Sequence, residues 1–401
     1  MPSTEKELVS HPNMQQRHIR IGESEFPYLF GIDCLDTIAE TLDLLDADRF
    51  VVVTDDHVFG LHGQELLRAL GSKIPVTVLS HEPGEAMKTL SCLSEHIEHA
   101  LQAGATRRSV VVAFGGGVPG NLAGLIASLL FRGVRLVHIP TTTVSAMDSV
   151  LSLKQAINSR VGKNHIGSYY APAAVLTDVA LFSTLSPREL RSGLGEMTKN
   201  CLAIMPETIP ELQRILAAGE LAAPESLLWL LDASISAKGK VTQDDTYERK
   251  RGLVLEYGHT IGHAIELLDY RQRDTQGLSH GESIALGMLI AARISFARGW
   301  LTEEEVEIHD ELVTALGITA RFPDGMTIDQ IIDTIHDDNK RGYLPLADDA
   351  AAFVLLQKLG TPAQSGELPL VSVTAGEVRA ALEAFVAGVR DTASLVAAEA
   401  V

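Results

Sequence analysis

Three histidines and one distant glutamate carry the most conspicuous chemistry in this chain. The stretch Glu256-Tyr257-Gly258-His259-Thr260-Ile261-Gly262-His263-Ala264-Ile265-Glu266 sets His259 and His263 at i and i+4, on one helix face about one turn apart. Two imidazoles so placed can bind a metal, hold an anion, or pack without function, and spacing alone favours the last. Gly258 and Gly262 each precede a histidine and are read as opening space for a ligand, at some cost in helix propensity. His280, in Ser279-His280-Gly281-Glu282, opens an apolar run through Ala292. Glu196, in Gly193-Leu194-Gly195-Glu196-Met197, would complete a nitrogen-and-oxygen site suited to zinc or cobalt.

A second constellation lies upstream. The apolar run Ser109–Phe114 leads into Gly115-Gly116-Gly117-Val118-Pro119-Gly120-Asn121, matching G-x-G-x-x-G at Gly115, Gly117 and Gly120. A strand before and a helix after give that loop a mechanism, because its free amides can meet a pyrophosphate at the helix N-terminus. A tight strand–helix turn is the bland alternative. No acid follows about twenty residues on, so Asp55, ending the earlier strand Phe50–Asp55, is the better partner for a ribose hydroxyl. Further on, Lys154 and Gly162-Lys163-Asn164 place cations beside amides and hydroxyls on loops, which suits a phosphate or polyol as well as it suits a solvated basic loop.

These groups need a scaffold of some size, and 401 residues with 46% hydrophobic content supply two or three domains with proper cores. No run of eighteen apolar residues occurs, so no membrane span is expected. The N-terminus, Met1 to Glu7, lacks a basic region followed by an apolar core and is not read as a signal peptide. A net charge of −19 argues against nucleic acid and anionic membranes, and leaves an anionic small molecule only a local basic pocket. Cys34, Cys92 and Cys201, odd in number and far apart, indicate a reducing cytoplasm rather than a disulfide framework.

Strand and helix patterns alternate from Phe50 to Ile139, which predicts a mostly parallel sheet covered on both faces. Ser183–Pro187 reads as a joint between an α/β domain over 1–185 and a helical domain over 186–401. The helices expected there are 187–205, 209–217, 224–241, 253–268, 282–298, 303–316, 328–337 and 375–401, with a surface loop over Asp269–Ser279.

Six motifs in order then identify a family. GGGVPGNLAG at 115–124, IPTTT at 139–143, GKN at 162–164, GLGEMTK at 193–199, GHTIGHAIE at 258–266 and HGE at 280–282 resemble the dehydroquinate synthase-like sugar-phosphate cyclases, from about Val51 to Tyr343. The resemblance implies an N-terminal NAD-binding domain, a C-terminal metal-binding domain with a cleft between, and a homodimer that binds a sugar phosphate and recycles its NAD within each turnover. It assigns the metal to Glu196, His259 and His280. It assigns NAD to Asp55, Glu85, Lys88, and Gly117-Val118-Pro119-Gly120-Asn121, with Thr141, Thr142, Ser152, Leu153, Lys154, Lys163 and Asn164. Asp148, Lys199, Lys238, His263 and Lys340 fall to the substrate, and Arg132 to the phosphate in the other subunit's site.

Within the family the chain departs from dehydroquinate synthase itself. Glu256 replaces an asparagine, Gly252 stands where an arginine helps grip a substrate carboxylate, and SLKQAIN at 152–158 replaces GGKTGVN. Loss of a guanidinium suggests a substrate without a carboxylate. The stretches DSVLSLKQAIN, YERKRGLVLEYGHTIGHAIEL and HDDNKRGY are similar instead to the branch that cyclises D-glucose 6-phosphate for aminoglycoside antibiotics. The implied reaction oxidises C4 with NAD, eliminates phosphate from C6, returns the hydride, and closes the ring by an intramolecular aldol step. Glu256 is the candidate acid/base, with Lys154 in support. The alternatives are dehydroquinate synthase, a sedoheptulose 7-phosphate cyclase, and an NAD- and metal-dependent polyol dehydrogenase.

Overall fold

The structure is a computed structural model that describes residues 13–273, 277–335, 340 and 342–399. It divides into two compact units, residues 1–186 with 222–235, and residues 187–221 with 236–401. The segment 222–235 thus belongs with the first unit, where a continuous 186–401 domain was expected, and Asp232 is held there by Arg17 at 2.9 Å.

The first unit is built on a seven-stranded sheet. Its strands are β1 (Met14–Ile21), β2 (Ser24–Gly31), β3 (Phe50–Asp55), β4 (Val76–His81), β5 (Val110–Gly115), β6 (Arg135–Pro140) and β9 (Ala174–Asp178), in the order β1-β2-β9-β6-β5-β3-β4. All pairings are parallel except β1 with β2. Phe50-Val51-Val52-Val53 and Val110-Val111-Val112 are buried throughout, which explains their unbroken apolar runs at the sheet centre. The edge hairpin β1–β2 is not announced by the sequence because Gln15, Gln16, Arg17 and His18 of β1 are all unburied, leaving only Ile19 to Ile21 to alternate, on an edge strand rich in charge.

Helices cover both faces of the sheet. α1 (Leu35–Asp43) and α2 (Gln64–Leu70) close one side through Leu35, Ile38, Leu42, Leu66 and Leu70. α3 (Leu90–Gln102) and α4 (Gly117–Leu129) close the other through Leu93, Leu122 and Ile126. Because β3 lies between β4 and β5, the winding reverses there. In open α/β sheets such a reversal leaves a crevice at the carboxyl ends of the strands, where ligands bind.

Lys154 and Gly162-Lys163-Asn164, expected on loops, lie on a hairpin, β7 (Lys154–Ser159) with β8 (Gly162–Tyr169). It lies against α4 so closely that a methyl group at Gly124 would overlap the Gln155 side chain.

The second unit is helical: α5 (Pro187–Ala203), α6 (Ile209–Ala218), α7 (Pro224–Thr242, completed in this unit), α8 (His259–Arg273), α9 (His280–Ala297), α10 (Glu303–Ala315), α11 (Ile328–Ile335) and α12 (Ala375–Glu399). Two short ribbons join them, Ala350–Phe353 with Val371–Thr374 and Leu356–Lys358 with Thr361–Pro362, too brief for their alternation to register against an all-helical expectation. The last residues of the helix expected over 328–337, most of HDDNKRGY, the tip of 375–401 and the N-terminal stretch Met1 to Glu7 lie outside the described residues.

Two boundaries differ instructively. The helix expected from Leu253 is broken, with residues Arg251–Glu256 forming a 3₁₀ turn and α8 starting only at His259. Gly258 is the cause, since its φ of +80° ends any right-handed helix. The expected surface loop after Asp269 is partly helix, and Asp269 is buried with its carboxylate accepting from the Leu278 amide.

Candidate active site

Glycines set the spacing of the catalytic candidates in the second unit. A methyl group at Gly195 on α5 would stand 2.8 Å from the Gly281 carbonyl carbon, so α5 and the start of α9 meet backbone to backbone. At Gly258 it would stand 2.6 Å from Met288 Cγ, and at Gly262 2.9 Å from Ile284 Cα. The room beside the two histidines is therefore filled by α9, which corrects the reading that Gly258 and Gly262 open space for a ligand. These contacts bring the residues beside the glycines together: Glu196 on α5, His259 and His263 on α8, and His280, just before Gly281, on α9.

Glu196 Oε1 lies 3.7 Å from His259 Nε2 and 3.5 Å from His280 Nε2. It is completely buried and has no hydrogen-bond partner among the described residues. A tetrahedral ion with ligand bonds of about 2.1 Å sets its ligand atoms about 3.4 Å apart, so these residues fit a zinc- or cobalt-like cation, and the orphaned oxygen is the position such an ion would satisfy. His263 stands in the same cluster, with ligand atoms of the three histidines within 4.8 Å of one another.

Each donor is held from behind. Lys199, which the resemblance assigns to the substrate, is instead buried and donates to Glu196 Oε2. Burial disfavours charge on Glu196, but the Lys199 ammonium and the neighbouring histidines hold its carboxyl well below the usual range. His259 Nδ1 lies 3.2 Å from the Tyr257 carbonyl, which fixes the tautomer with Nε2 free toward Glu196. Burial, and then Lys199, push His259 down to about 3, so it stays neutral. His280 Nδ1 lies 2.9 Å from Glu266 Oε2. Burial opposes charge there too, yet Glu196 and Glu266 outweigh it and raise His280 to about 10. Glu266 had no role in the sequence reading, although His259, His263 and Glu266 at i, i+4 and i+7 share one helix face. Glu282 of the HGE motif caps α9 with Ser279 and pairs with Arg191 at 3.1 Å.

Glu256 ends the 3₁₀ turn, with Lys340 Nζ donating to Oε2 at 3.4 Å. The two sit at opposite exposures, since the Lys340 side chain is 2% and the Glu256 side chain 22% accessible. Lys238 is buried on α7. Gly252 lies in a turn wound on Asp245, whose carboxylate accepts from the amides of Arg249, Lys250 and Gly252. A Cβ at position 252 would stand 3.0 Å from Asp245 Oδ2. Gly252 and Glu256 are thus not one α-helical turn apart, as a helix from Leu253 would have made them.

In the first unit the glycine loop and Asp55 end the adjacent strands β5 and β3 at the winding reversal. Gly115 has φ +154°, and a methyl there would meet Pro119 Cγ at 2.8 Å, so it is the tight-turn glycine. Nothing lies within 4 Å of a Cβ at Gly117, leaving a backbone face open to a pyrophosphate. Gly120 makes only ordinary contact with His138, and the close approach belongs to Gly124. Asn121 is committed to structure, donating to the Gly117 carbonyl at 2.8 Å and accepting from the Ala156 amide at 2.7 Å. Asp55 also caps a short turn, accepting from the Val58 amide at 2.8 Å.

Thr141 donates its amide to the Gly115 carbonyl at 3.1 Å, and Thr142 flanks Gly116. Val118 takes a place in the first turn of α4. Glu85, Lys88 and Asn164 come together around Asn158, which the sequence reading passed over. Asn158 Nδ2 donates to Glu85 Oε1 at 2.8 Å, its Oδ1 accepts from the Asn164 amide at 2.9 Å, and Lys88 donates to Asn164. Ser152 accepts from the Lys154 amide at 3.3 Å beside buried Leu153, while Lys154 and Lys163 extend from the exposed side of the hairpin. Asp148 follows the Thr143–Met147 turn. Arg132 is exposed after α4, and both it and Phe131 adopt left-handed φ values of 68° and 51°.

The sequence compares closely with known enzymes. The 3-dehydroquinate synthase N-terminal family matches residues 78–192 and its C-terminal family residues 193–341. A 2-deoxy-scyllo-inosose synthase from Micromonospora echinospora is 46% identical over 88% of this chain and 88% of its own length. Among solved structures, a 2-deoxy-scyllo-inosose synthase complexed with carbaglucose-6-phosphate, NAD+ and Co2+ superposes with TM-score 0.85 at 35% identity, covering 92% of this chain and 99% of that one. A 2-epi-5-epi-valiolone synthase from Streptomyces hygroscopicus with NAD+ and Zn2+ bound gives TM-score 0.78 at 25% identity, covering 92% and 99%.

Proposed function

The chain belongs to the 2-deoxy-scyllo-inosose synthases, a branch of the dehydroquinate synthase-like sugar-phosphate cyclases, and on that premise we propose that it converts D-glucose 6-phosphate to 2-deoxy-scyllo-inosose and phosphate. This product is the carbocycle of 2-deoxystreptamine aminoglycosides. The observation that carries the proposal is the buried, unsatisfied Glu196 Oε1 facing two imidazoles whose outer nitrogens are already engaged.

When bound, a divalent ion there acidifies a sugar hydroxyl and NAD takes and returns a hydride. The chain's own residues do the rest. Lys199, the Tyr257 carbonyl and Glu266 fix the three ligands, so the sugar meets a preformed site. Glu256 moves the protons of the elimination and ring-closing steps, and Lys340 orients its carboxylate. Lys238, Lys340 and His263 hold the phosphate as a leaving group and anchor, with Arg132, Asp148 and Lys154 also assigned to the sugar phosphate. Because the reacting ends are tethered in one substrate, holding them can contribute several kcal/mol.

The nucleotide is assigned to the loop Gly117–Gly120, to Asp55, and to the Glu85, Lys88 and Asn164 group. Gly252 itself has no cation to offer a carboxylate, and the Asp245 carboxylate accepts from its amide, which supports a substrate that lacks one. For the assembly we propose a homodimer in which Arg132 serves the partner's site. Two successive left-handed non-glycine residues cost about 1–2 kcal/mol each, which is intelligible if they aim Arg132 outward.

The decisive experiment supplies glucose 6-phosphate with substoichiometric NAD+ and follows phosphate and NADH together. Phosphate should be released over many turnovers with no net NADH. NADH rising to the amount of NAD+ supplied, with no phosphate released, would mean a polyol dehydrogenase.

A further inference from the structure

One group of buried donors in the first unit takes no part in this chemistry. His81 ends β4, Cys92 lies in the first turn of α3, and His96 follows one turn later on the same helix face. All three are buried, and their ligand atoms lie within 4.8 Å of one another. Cys92 Sγ and His96 Nε2 are 3.7 Å apart, and the His81 and His96 rings are 5.4 Å apart between centroids. His81 is 5% accessible, and neither of its ring nitrogens has a hydrogen-bond partner among the described residues. A buried imidazole left this way has lost its water without gaining a partner, a cost that a bound ion would relieve.

We propose that His81, Cys92 and His96 form a second metal site, taking a divalent ion of the zinc or cobalt type. A tetrahedral ion with a metal–sulfur bond of about 2.3 Å and a metal–nitrogen bond of about 2.1 Å sets those atoms about 3.6 Å apart, close to the 3.7 Å between Cys92 and His96. The ion would occupy the unmet nitrogen of His81. Burial keeps both imidazoles in the neutral form that coordinates, with His96 pushed down to about 4 and His81 lowered. Burial also pushes the Cys92 thiol up to about 11, so its proton leaves for solvent as the metal–sulfur bond forms. Asp55 and Asp56 lend negative charge beside His81. The ion would tie the end of β4 to the first turn of α3 across residues 82–89, the segment that carries Glu85 and Lys88.

The sulfur donor makes this site separable from the one at Glu196, whose donors are oxygen and nitrogen. The full-length enzyme reconstituted with Co2+ should bind a second equivalent and show a thiolate-to-cobalt charge-transfer band. Cys92→Ser and Cys92→Ala, both near in volume to cysteine, should each lose the band and one equivalent. Glu196→Gln should lose the other equivalent and keep the band. A wild-type protein with one equivalent and no thiolate band overturns the proposal, as does a band that survives both Cys92 variants.

Discussion

Gly262→Ala tests whether the helix crossing sets the metal geometry. Its Cβ would stand 2.9 Å from Ile284 Cα and 3.0 Å from the Ser283 carbonyl oxygen, where ordinary contact begins at 3.4 Å. The third clash, at 2.7 Å from Ile284 Cδ1, can be relieved by a side-chain rotation, but the two backbone contacts cannot. α8 and α9 must therefore part by roughly half an ångström, since close-packed interiors transmit such strain rather than absorb it. His259 precedes Gly262 by three residues and His280 precedes Ile284 by four, so the displacement falls directly on the ligand pair. Metal sites tolerate about 0.2 Å, and a misplacement near 1 Å is worth about 10²-fold in rate. Overpacking costs about 1–3 kcal/mol, partly offset by about 1 kcal/mol of helix propensity. The variant should stay folded, lose metal on dialysis, and drop at least 10-fold in kcat/KM, a fall set conservatively below that positional limit. Gly388→Ala is the control, being exposed in α12 with nothing within 4 Å of its Cβ. Full metal occupancy with wild-type turnover in Gly262→Ala would refute the reasoning.

Four further outcomes are expected. Glu196→Gln, His259→Ala and His280→Ala should each lose the metal equivalent bound at Glu196, whereas His263→Ala should keep it and raise KM; metal analysis of the four variants decides the ligand set. Glu266→Gln should weaken metal binding about 10–100-fold through His280 alone, read by competition with a chelator. Glu256→Gln should cut kcat on glucose 6-phosphate by roughly 10²-fold with NAD and metal still bound, and near-normal turnover would leave Glu256 a structural role. Finally, burial holds His138 and His309 down to about 4. The unfolded chain takes up protons through its ordinary value near 6.5 while the fold does not, so the metal-free protein should lose stability as pH falls from about 6.5 to about 4, by at most roughly 3 kcal/mol per histidine. Urea melts of wild type and His309→Gln across that window would show it, the variant having the shallower slope.

The sheet was legible because its central strands are buried on both faces and spell themselves as apolar runs. The β1–β2 hairpin and the ribbons near residues 350–374 were not, since edge strands and pairs of two to four residues carry little periodic signal. The glycine loop was legible as a loop, but not in its division of labour. The third glycine of the motif, Gly120, makes only ordinary contact, and the hairpin that α4 must approach lies one further turn along, against Gly124, which the motif does not include. Asn121 likewise reads as a polar group beside a phosphate loop until the Ala156 amide takes its oxygen, a pairing across more than thirty residues that no local pattern announces.

The metal candidates show the same limit from the other side. Spacing alone presents His259 and His263 as equivalents, and nothing local to α8 distinguishes them. What the fold adds is Glu196 Oε1, 3.7 Å from His259 Nε2, an approach set by Gly195 against Gly281 and by Gly262 against Ile284. Gly195, Gly258, Gly262 and Gly281 therefore set the geometry of the cluster although none needs to touch a ligand. Each removes the one methyl group that would hold two backbones apart, so the residue beside it reaches the common centre. Substituting a ligand removes one donor, but substituting one of these glycines moves all the donors on that helix. The glycine variants should accordingly lose metal affinity and turnover together, with every ligand side chain still in the chain.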